Sequence, residues 1–411
     1  MNYHLNPVVS VYDRLVWAEG QIERLLASGE RRRELIAYLG AEEYAALRPM
    51  AQAAAAARRD PDCSVYLIPG IMGSQLGIRR AAPLPANLLW IDPADFQLGG
   101  LLAMRLPEEH IVPFGPVIYS YLRLKFALEI AGFNVRYFDY DWRRSVDALG
   151  AQLAGRLAKD PAKQLLLVGH SMGGLVARAA LFGGDPRIAR LVTLGTPHGG
   201  SFAPLQALRG VYGTVRRLAQ LDPAHSAEEL AAQVFTTFPS LYQMLPEQLL
   251  HAASWPDSAP RPDAALLAAA RRLVLPAPPD RLLCIAGYGT ETVTGASHDG
   301  TQFHYVVTHA GDGTVPTAAA QLAQCRCWYT TVGHSDLPRD TQLATAVVDL
   351  LRNGETPHLT THVPDTAATS RRSSDEALRR TFTGKLDWSS LSATARHAFL
   401  DSLNAPVDLA P

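Results

Sequence analysis

The sequence predicts an α/β fold, a mostly parallel sheet with helices on both faces. Three observations carry this expectation. Six apolar runs of four to seven residues (65–68, 133–138, 165–168, 191–194, 282–286 and 327–332) end at Gly, Asp or Pro or shortly before them. Stretches with helical spacing lie between them at 117–131, 146–157, 173–182 and 341–351. The runs are almost continuously apolar rather than alternating, as expected of strands covered on both sides.

Taken in chain order, residues 1–60 read as an N-terminal helical extension, with Val11, Leu15, Ile22, Leu25, Leu35 and Leu39 at helical intervals. Arg58-Arg59-Asp60-Pro61-Asp62 closes it with breaker chemistry. Residues 61–352 form the α/β domain. Two insertions interrupt it, both longer than an ordinary strand-to-helix loop. The first, about 76–116, carries Leu88, Leu89, Trp90, Ile91, Phe96, Leu98 and Leu101. It is read as an apolar lid that moves on contact with aggregated substrate. The second, about 201–279, is helical in pattern and is read as a cap. Residues 353–411 are a tail, loosely ordered to about Asp375, with an amphipathic helix expected over 391–403.

Composition narrows the function classes. The chain has 411 residues, with 38 Lys plus Arg against 39 Asp plus Glu, so it lacks the basic excess of an electrostatic nucleic-acid binder. Hydrophobic residues make up 47%, enough for a sizeable core and far from a disordered composition. The four cysteines (Cys63, Cys284, Cys325 and Cys327) are too few for a disulfide scaffold and are read as small buried hydrophobes in a reducing compartment. Neither a secretory signal nor a run of eighteen apolar residues is visible, so the expected location is cytoplasmic. No HExxH, clustered Cys/His or phosphate-cradling glycine motif is seen, so neither metal nor cofactor is expected.

The chemistry begins at the third strand. It runs directly into Gly169-His170-Ser171-Met172-Gly173 and a helix, the G-x-S-x-G pattern in the strand–turn–helix context that gives it meaning. A serine hydroxyl attacks only when a base takes its proton, and the base needs an orienting acid. In this arrangement acid and base follow the nucleophile in the order acid, then His. Asp312, between glycines in a strand-end loop, is the expected acid. His334, twenty-two residues later and just after an apolar strand, is the expected base. Asp139 and Asp141 precede the nucleophile, and Asp336 is only two residues from His334. Asp141 is expected to pair with Arg143 or with backbone amides. His170 is expected to pack beneath the turn, and His198 to line the pocket. Two N–H groups should face the substrate oxyanion. One is that of Met172, directly after the nucleophile; the other is that of Met72, with Ile71 the near alternative, in Pro69-Gly70-Ile71-Met72-Gly73. Ile71 and Trp90 are further candidates for substrate contact.

Six motifs in order carry a resemblance. They are Pro69-Gly70-Ile71-Met72-Gly73-Ser74-Gln75-Leu76, Tyr140-Asp141-Trp142-Arg143, Gly169 to Gly174, Gly195-Thr196-Pro197, Pro239-Ser240 through Met244-Leu245-Pro246, and Gly311-Asp312-Gly313-Thr314-Val315-Pro316. Over residues 65–348 the chain resembles the lecithin:cholesterol acyltransferase family, which includes lysosomal phospholipase. The resemblance implies an α/β-hydrolase fold with lid and helical cap insertions, acting on lipid esters and able to pass the acyl group to an alcohol. It implies Ser171, Asp312 and His334 as nucleophile, acid and base, with Met72 and Met172 at the oxyanion. The chain departs from the animal members in lacking a secretion signal and a cysteine pair around the lid segment.

The expected function is therefore serine hydrolysis of a lipid-like carboxylic ester through an acyl-enzyme, with transfer to an alcohol left open. The expected partners are an apolar ester and, transiently, a membrane or lipid aggregate; oligomeric state is left open. An esterase or depolymerase of smaller or polymeric esters is the alternative within enzymes, and an inactive lipid-binding module the alternative outside them.

Overall fold

The computed structural model describes residues 20–81, 84–108, 110–363 and 369–403. Val11 and Leu15 of the expected N-terminal helical pattern lie outside them. Twelve strands occur among the described residues: β1 (Cys63–Ile68), β2 (Ser74–Ile78), β3 (Asn87–Trp90), β4 (Ile111–Pro116), β5 (Asn134–Tyr137), β6 (Gln164–His170), β7 (Ile188–Leu194), β8 (Leu282–Gly287), β9 (Thr292–His298), β10 (Phe303–Thr308), β11 (Arg326–Thr330) and β12 (Arg371–Ser374). The six apolar runs named above are β1, β5, β6, β7, β8 and β11. They form one sheet in the order β11-β8-β7-β6-β1-β5, and every pairing in it is parallel.

Helices cover both faces. On one side Ile118–Ile130 and Thr341–Asn353 seal a core that includes Val65, Leu67, Val168, Val192, Ile285, Val347 and Leu350. On the other side Val146–Leu157 and Met172–Ala180 join a larger core with the cap. The N-terminal helices Gln21–Ser28, Arg32–Leu39 and Ala41–Ala56 bury their apolar stripes against Leu122 and Phe126 of the helix after β4.

The strand order reverses between β1 and β6: the chain passes from β1 to β5 on one side, then returns to β6 on the other. In open parallel sheets such a reversal leaves a crevice at the carboxyl ends of the two strands, because their loops diverge. The crevice here lies between the loop after β1 and the turn after β6.

The first insertion, expected as a lid, lies packed against the molecule. It folds into a three-stranded antiparallel sheet, β3-β2-β4, and Leu88, Leu89, Trp90, Phe96, Leu101 and Met104 are buried in the molecule. Leu98 alone of the named apolar residues there is well exposed, at 67%. Most of these side chains fill the core, while Trp90 and Ile91 also border the cavity that holds Ser171. Trp90 packs edge-on against Trp142 and tilted against Phe96. Truncating a buried aromatic typically costs about 3–5 kcal/mol. Trp90→Ser should therefore lower the melting temperature markedly and impair short soluble and aggregated esters alike. Loss confined to aggregated esters in a normally melting protein would restore the lid.

The second insertion is helical, as expected, with helices Ala203–Leu208, Gly213–Leu221, Ala227–Gln233, Pro239–Gln243 and Ala264–Ala270. Before Asp375 the tail forms β12, paired antiparallel with β10, and Tyr329 N–H donates to Thr360 C=O at 2.8 Å. Residues 364–368 of the stretch expected to be loosely ordered lie outside the described residues; on either side of them, pairing to distant strands supplies what local pattern does not. The terminal helix is present over Ala393–Ser402. Cys63 and Cys284 are buried; Cys325 and Cys327 are only partly so, because they sit on an outer strand and the turn leading into it.

Candidate active site

Strand β6 ends in a turn too tight for side chains at its glycines. A Cβ on Gly173 would stand 2.2 Å from Ile68 O and 2.4 Å from Pro69 O, both immovable backbone. Ser171, at the start of the Met172–Ala180 helix, is forced to φ 53°, ψ −127°. Such a conformation costs about 1–3 kcal/mol for a non-glycine residue and persists only where the surroundings enforce it. The result is a serine hydroxyl lifted out of the sheet edge toward the crevice.

Ser171 Oγ lies 2.9 Å from His334 Nε2, and His334 Nδ1 lies 2.7 Å from Asp312 Oδ2. The three residues expected from sequence thus meet in one chain of contacts. Asp312 is fully buried. Its Oδ1 accepts from the N–H groups of Thr314 (3.0 Å) and Val315 (2.7 Å), so the carboxylate is held with Oδ2 turned to the imidazole. A carboxylate only accepts, so the proton on His334 sits at Nδ1 and the Nε2 lone pair faces the serine. His334 N–H also donates to Asp312 C=O at 2.8 Å, locking the two loops together.

The loop after β1 brings Gly70 to Gly73 against this turn. Met72 has φ 62°, a second strained non-glycine residue at the same crevice. Three contacts hold the loop. Trp90 Nε1–H donates to Met72 C=O at 2.8 Å, Tyr140 O–H donates to Pro69 C=O, and Gly70 N–H donates to Tyr121 Oη at 2.9 Å. Met172 is the first helical residue after Ser171, where a backbone N–H has no intrahelical acceptor.

Sequence reasoning did not single out Tyr121 or Gly195. Tyr121 Oη is 2.9 Å from His170 Nδ1, and His170 Nε2 is 3.0 Å from His334 C=O. A carbonyl accepts, so Nε2 carries the ring proton and Tyr121 donates to Nδ1. Tyr121 and His170 thereby tie the β1 loop, the serine turn and the His334 loop into one network. Gly195 (φ 54°) must lack a side chain, since a Cβ would stand 2.8 Å from Asp312 Oδ2 and 3.1 Å from His334 Nδ1. Its motif was visible, but which pair of side chains it accommodates depends on the fold.

His170 packs beneath the turn, as expected. Burial, then the neighbouring His334, lowers its pKa to about 3. His170 is therefore neutral in the fold, whereas in the unfolded chain it takes a proton near about 6.5. The unfolded state binds more protons between these values, so this contribution is intact above about 6.5 and is lost as pH falls toward about 3. Denaturation midpoints should decline through that window, and a His170→Asn variant should show a shallower decline. Identical slopes for the two proteins would refute this.

His198 departs from expectation. It does not line the pocket, although Pro197 does. Arg178 Nη1–H donates to its Nδ1 at 3.1 Å, and its Nε2 lies 3.2 Å from Thr193 Oγ1. Burial, then Arg178, lowers its pKa to about 3. The side chain turns back against the sheet because the Arg178 guanidinium, which also donates to Pro276 and Leu275 C=O, takes it as a further acceptor. Asp141 pairs as expected: Arg143 Nε and Nη2 donate to its two oxygens, both at 2.8 Å. Arg143 Nη1 also holds Met104 C=O at 2.8 Å, fastening the first insertion to the main sheet.

Around Ser171 lies a cavity of about 130 Å³. About 10–15 Å³ of such space suffices for one water, so this one is sized for an organic group. Ile71, Met72, Trp90, Ile91, Leu241 and Met244 contribute apolar walls. Among the described residues no group of three or more His, Cys, Asp or Glu is placed to hold a metal, and no helix is long and apolar enough to cross a membrane.

Residues 62–237 match the family model of the PGAP1-like alpha/beta domain. With the six-stranded parallel sheet and the strand–turn–helix at Ser171, that match decides the fold. The chain has an α/β-hydrolase fold. This hydrolase-fold chain is 32% identical over 97 residues to the uncharacterized protein YJR098C of Saccharomyces cerevisiae, a match covering 22% of this chain and 15% of that protein's length. Among solved structures it is similar to the mature form of Bacillus licheniformis lipase BlEst2, at 15% identity over 71% of this chain and 92% of that one, with a TM-score of 0.37. It is also similar to a chain of the Tle4–Tli4 complex, at 15% identity over 73% of this chain and 100% of that one, with a TM-score of 0.46.

Proposed function

We propose that the protein is a serine hydrolase of carboxylic esters with an apolar, lipid-like acyl group. The observation that carries this reading is the contact chain Ser171–His334–Asp312 opening into a cavity with apolar walls. In this reading Ser171 Oγ attacks the ester carbonyl while His334 Nε2 takes its proton. Asp312 steadies the imidazolium that forms. The negative charge developing on the carbonyl oxygen is received by the N–H groups of Met172 and Met72, whose loop is already braced and needs no rearrangement. Collapse of the adduct expels the alcohol, which takes the proton from His334 and leaves an acyl-serine. Water, activated by the same imidazole, then releases the acid and restores Ser171.

An alcohol in place of water would make the same site an acyltransferase. The six motifs shared in order with the lecithin:cholesterol acyltransferase family support lipid-ester chemistry, and the partly apolar cavity agrees with it. Hydrolysis is the default acceptor reaction because water needs no site of its own. Labelling with an alkyl fluorophosphonate tests the reading: the wild type should become covalently modified at Ser171, and Ser171→Ala should not. A wild type that neither labels nor cleaves any ester would instead favour a binding module.

A further inference from the structure

We propose that Leu403, delivered by the C-terminal helix, is a specificity-determining wall of the ester pocket. The inference rests on the function proposed above. Leu403 lies far from the serine turn in sequence, yet it lines the same cavity as Ser171 and His334. Its side chain is 2% exposed and belongs to the main core. The backbone there is pinned as well: Thr214 Oγ1, on the cap and also lining the cavity, donates to Leu403 C=O at 2.7 Å.

The preceding segment is anchored to the same cap helix, Gly213–Leu221, and to the turn that follows it. Leu386 N–H donates to Gln220 C=O at 2.8 Å, and Lys385 Nζ donates to the carbonyls of Ala219, Asp222 and His225 at 2.8, 2.6 and 2.6 Å. Trp388 is buried and packs edge-on against Phe399 of the Ala393–Ser402 helix. Anchored at both its start and its end, the helix sets Leu403 at a fixed depth in the cavity. A branched aliphatic side chain held in this way limits the length of the apolar group that fits beside it. One methylene more or less in such a pocket changes discrimination about 10–200-fold.

The test measures kcat/KM of the full chain for p-nitrophenyl butyrate, octanoate and dodecanoate. Leu403→Ala should raise the dodecanoate-to-butyrate ratio about tenfold, and Leu403→Phe should lower it. Thermal melts establish that each variant is folded, and if the alanine variant is not, the phenylalanine variant decides alone. Ratios unchanged from wild type in the folded variants, or a uniform loss on all three esters, would overturn the wall while Ser171-dependent hydrolysis keeps the proposed function. Absence of any Ser171-dependent hydrolysis would overturn that function, and the wall with it.

Discussion

Ser171→Ala and His334→Ala should each lower ester turnover by about 10⁴-fold or more, because nucleophile and base act as one unit. Either change breaks the 2.9 Å contact between Oγ and Nε2. Asp312→Asn should cost somewhat less. The amide cannot serve as a carboxylate acceptor for the Nδ1 proton, yet the Thr314 and Val315 amides would still hold the side chain near its place. All three variants should melt near the wild type, since none is asked to carry the core. Steady-state kinetics with one soluble ester and a thermal melt decide the matter. Full activity in Asp312→Asn with loss in Asp336→Asn would move the acid to Asp336.

The second large effect concerns stability. Arg209 and Asp375 are both fully buried, with Arg209 Nε and Nη2 each 3.0 Å from Asp375 Oδ2. Arg209 also donates to the carbonyls of Ser258 and Pro260, at 2.8 and 2.6 Å. Asp375 in turn receives Phe303 N–H at 3.2 Å and Tyr305 O–H at 2.5 Å. The pair thus joins the cap, the β10 strand and the tail. Removing one partner of a buried pair leaves an uncompensated charge and typically costs about 3–5 kcal/mol. Against a typical total of about 5–15 kcal/mol, Asp375→Ala should shift the urea midpoint far down. The double variant Asp375→Leu/Arg209→Met should recover much of the loss, because an apolar pair leaves no buried charge. A single variant as stable as wild type would show that the pair adds nothing.

Removing Asp375 also bears on the pocket. The segment it anchors leads through Lys385 and Trp388 to Leu403. Loosening β12 should therefore disturb chain-length selectivity before it disturbs the Ser171–His334 contact, which rests on other loops.

Much of this protein was legible in its sequence. The inner strands β1, β6, β7 and β8 could be read because a strand covered on both faces must be almost wholly apolar, a purely local requirement; the edge strands β5 and β11 are only half-buried. The serine turn was legible because no other residue than glycine fits at 173 against Ile68 O. Chain order then separated Asp312 and His334 from Asp141 and His198. Tertiary structure alone decided the rest, and the reason is common to each case. The apolar stretch around Trp90 reads the same whether it covers a mouth or fills a core; its partners Trp142 and Phe96 and its place beside the Ser171 cavity come only from the fold. The turn of His198 toward Arg178 depends on where a helix from another part of the chain sets down that guanidinium. Residues 371–374, RRSS, carry no apolar pattern and become a strand because β10 offers an unpaired edge. Leu403 reaches the cavity because Thr214, nearly two hundred residues earlier, holds its carbonyl. Periodicity and turn chemistry record which surfaces a segment must bury. They do not record against what, and that choice set the walls of the pocket.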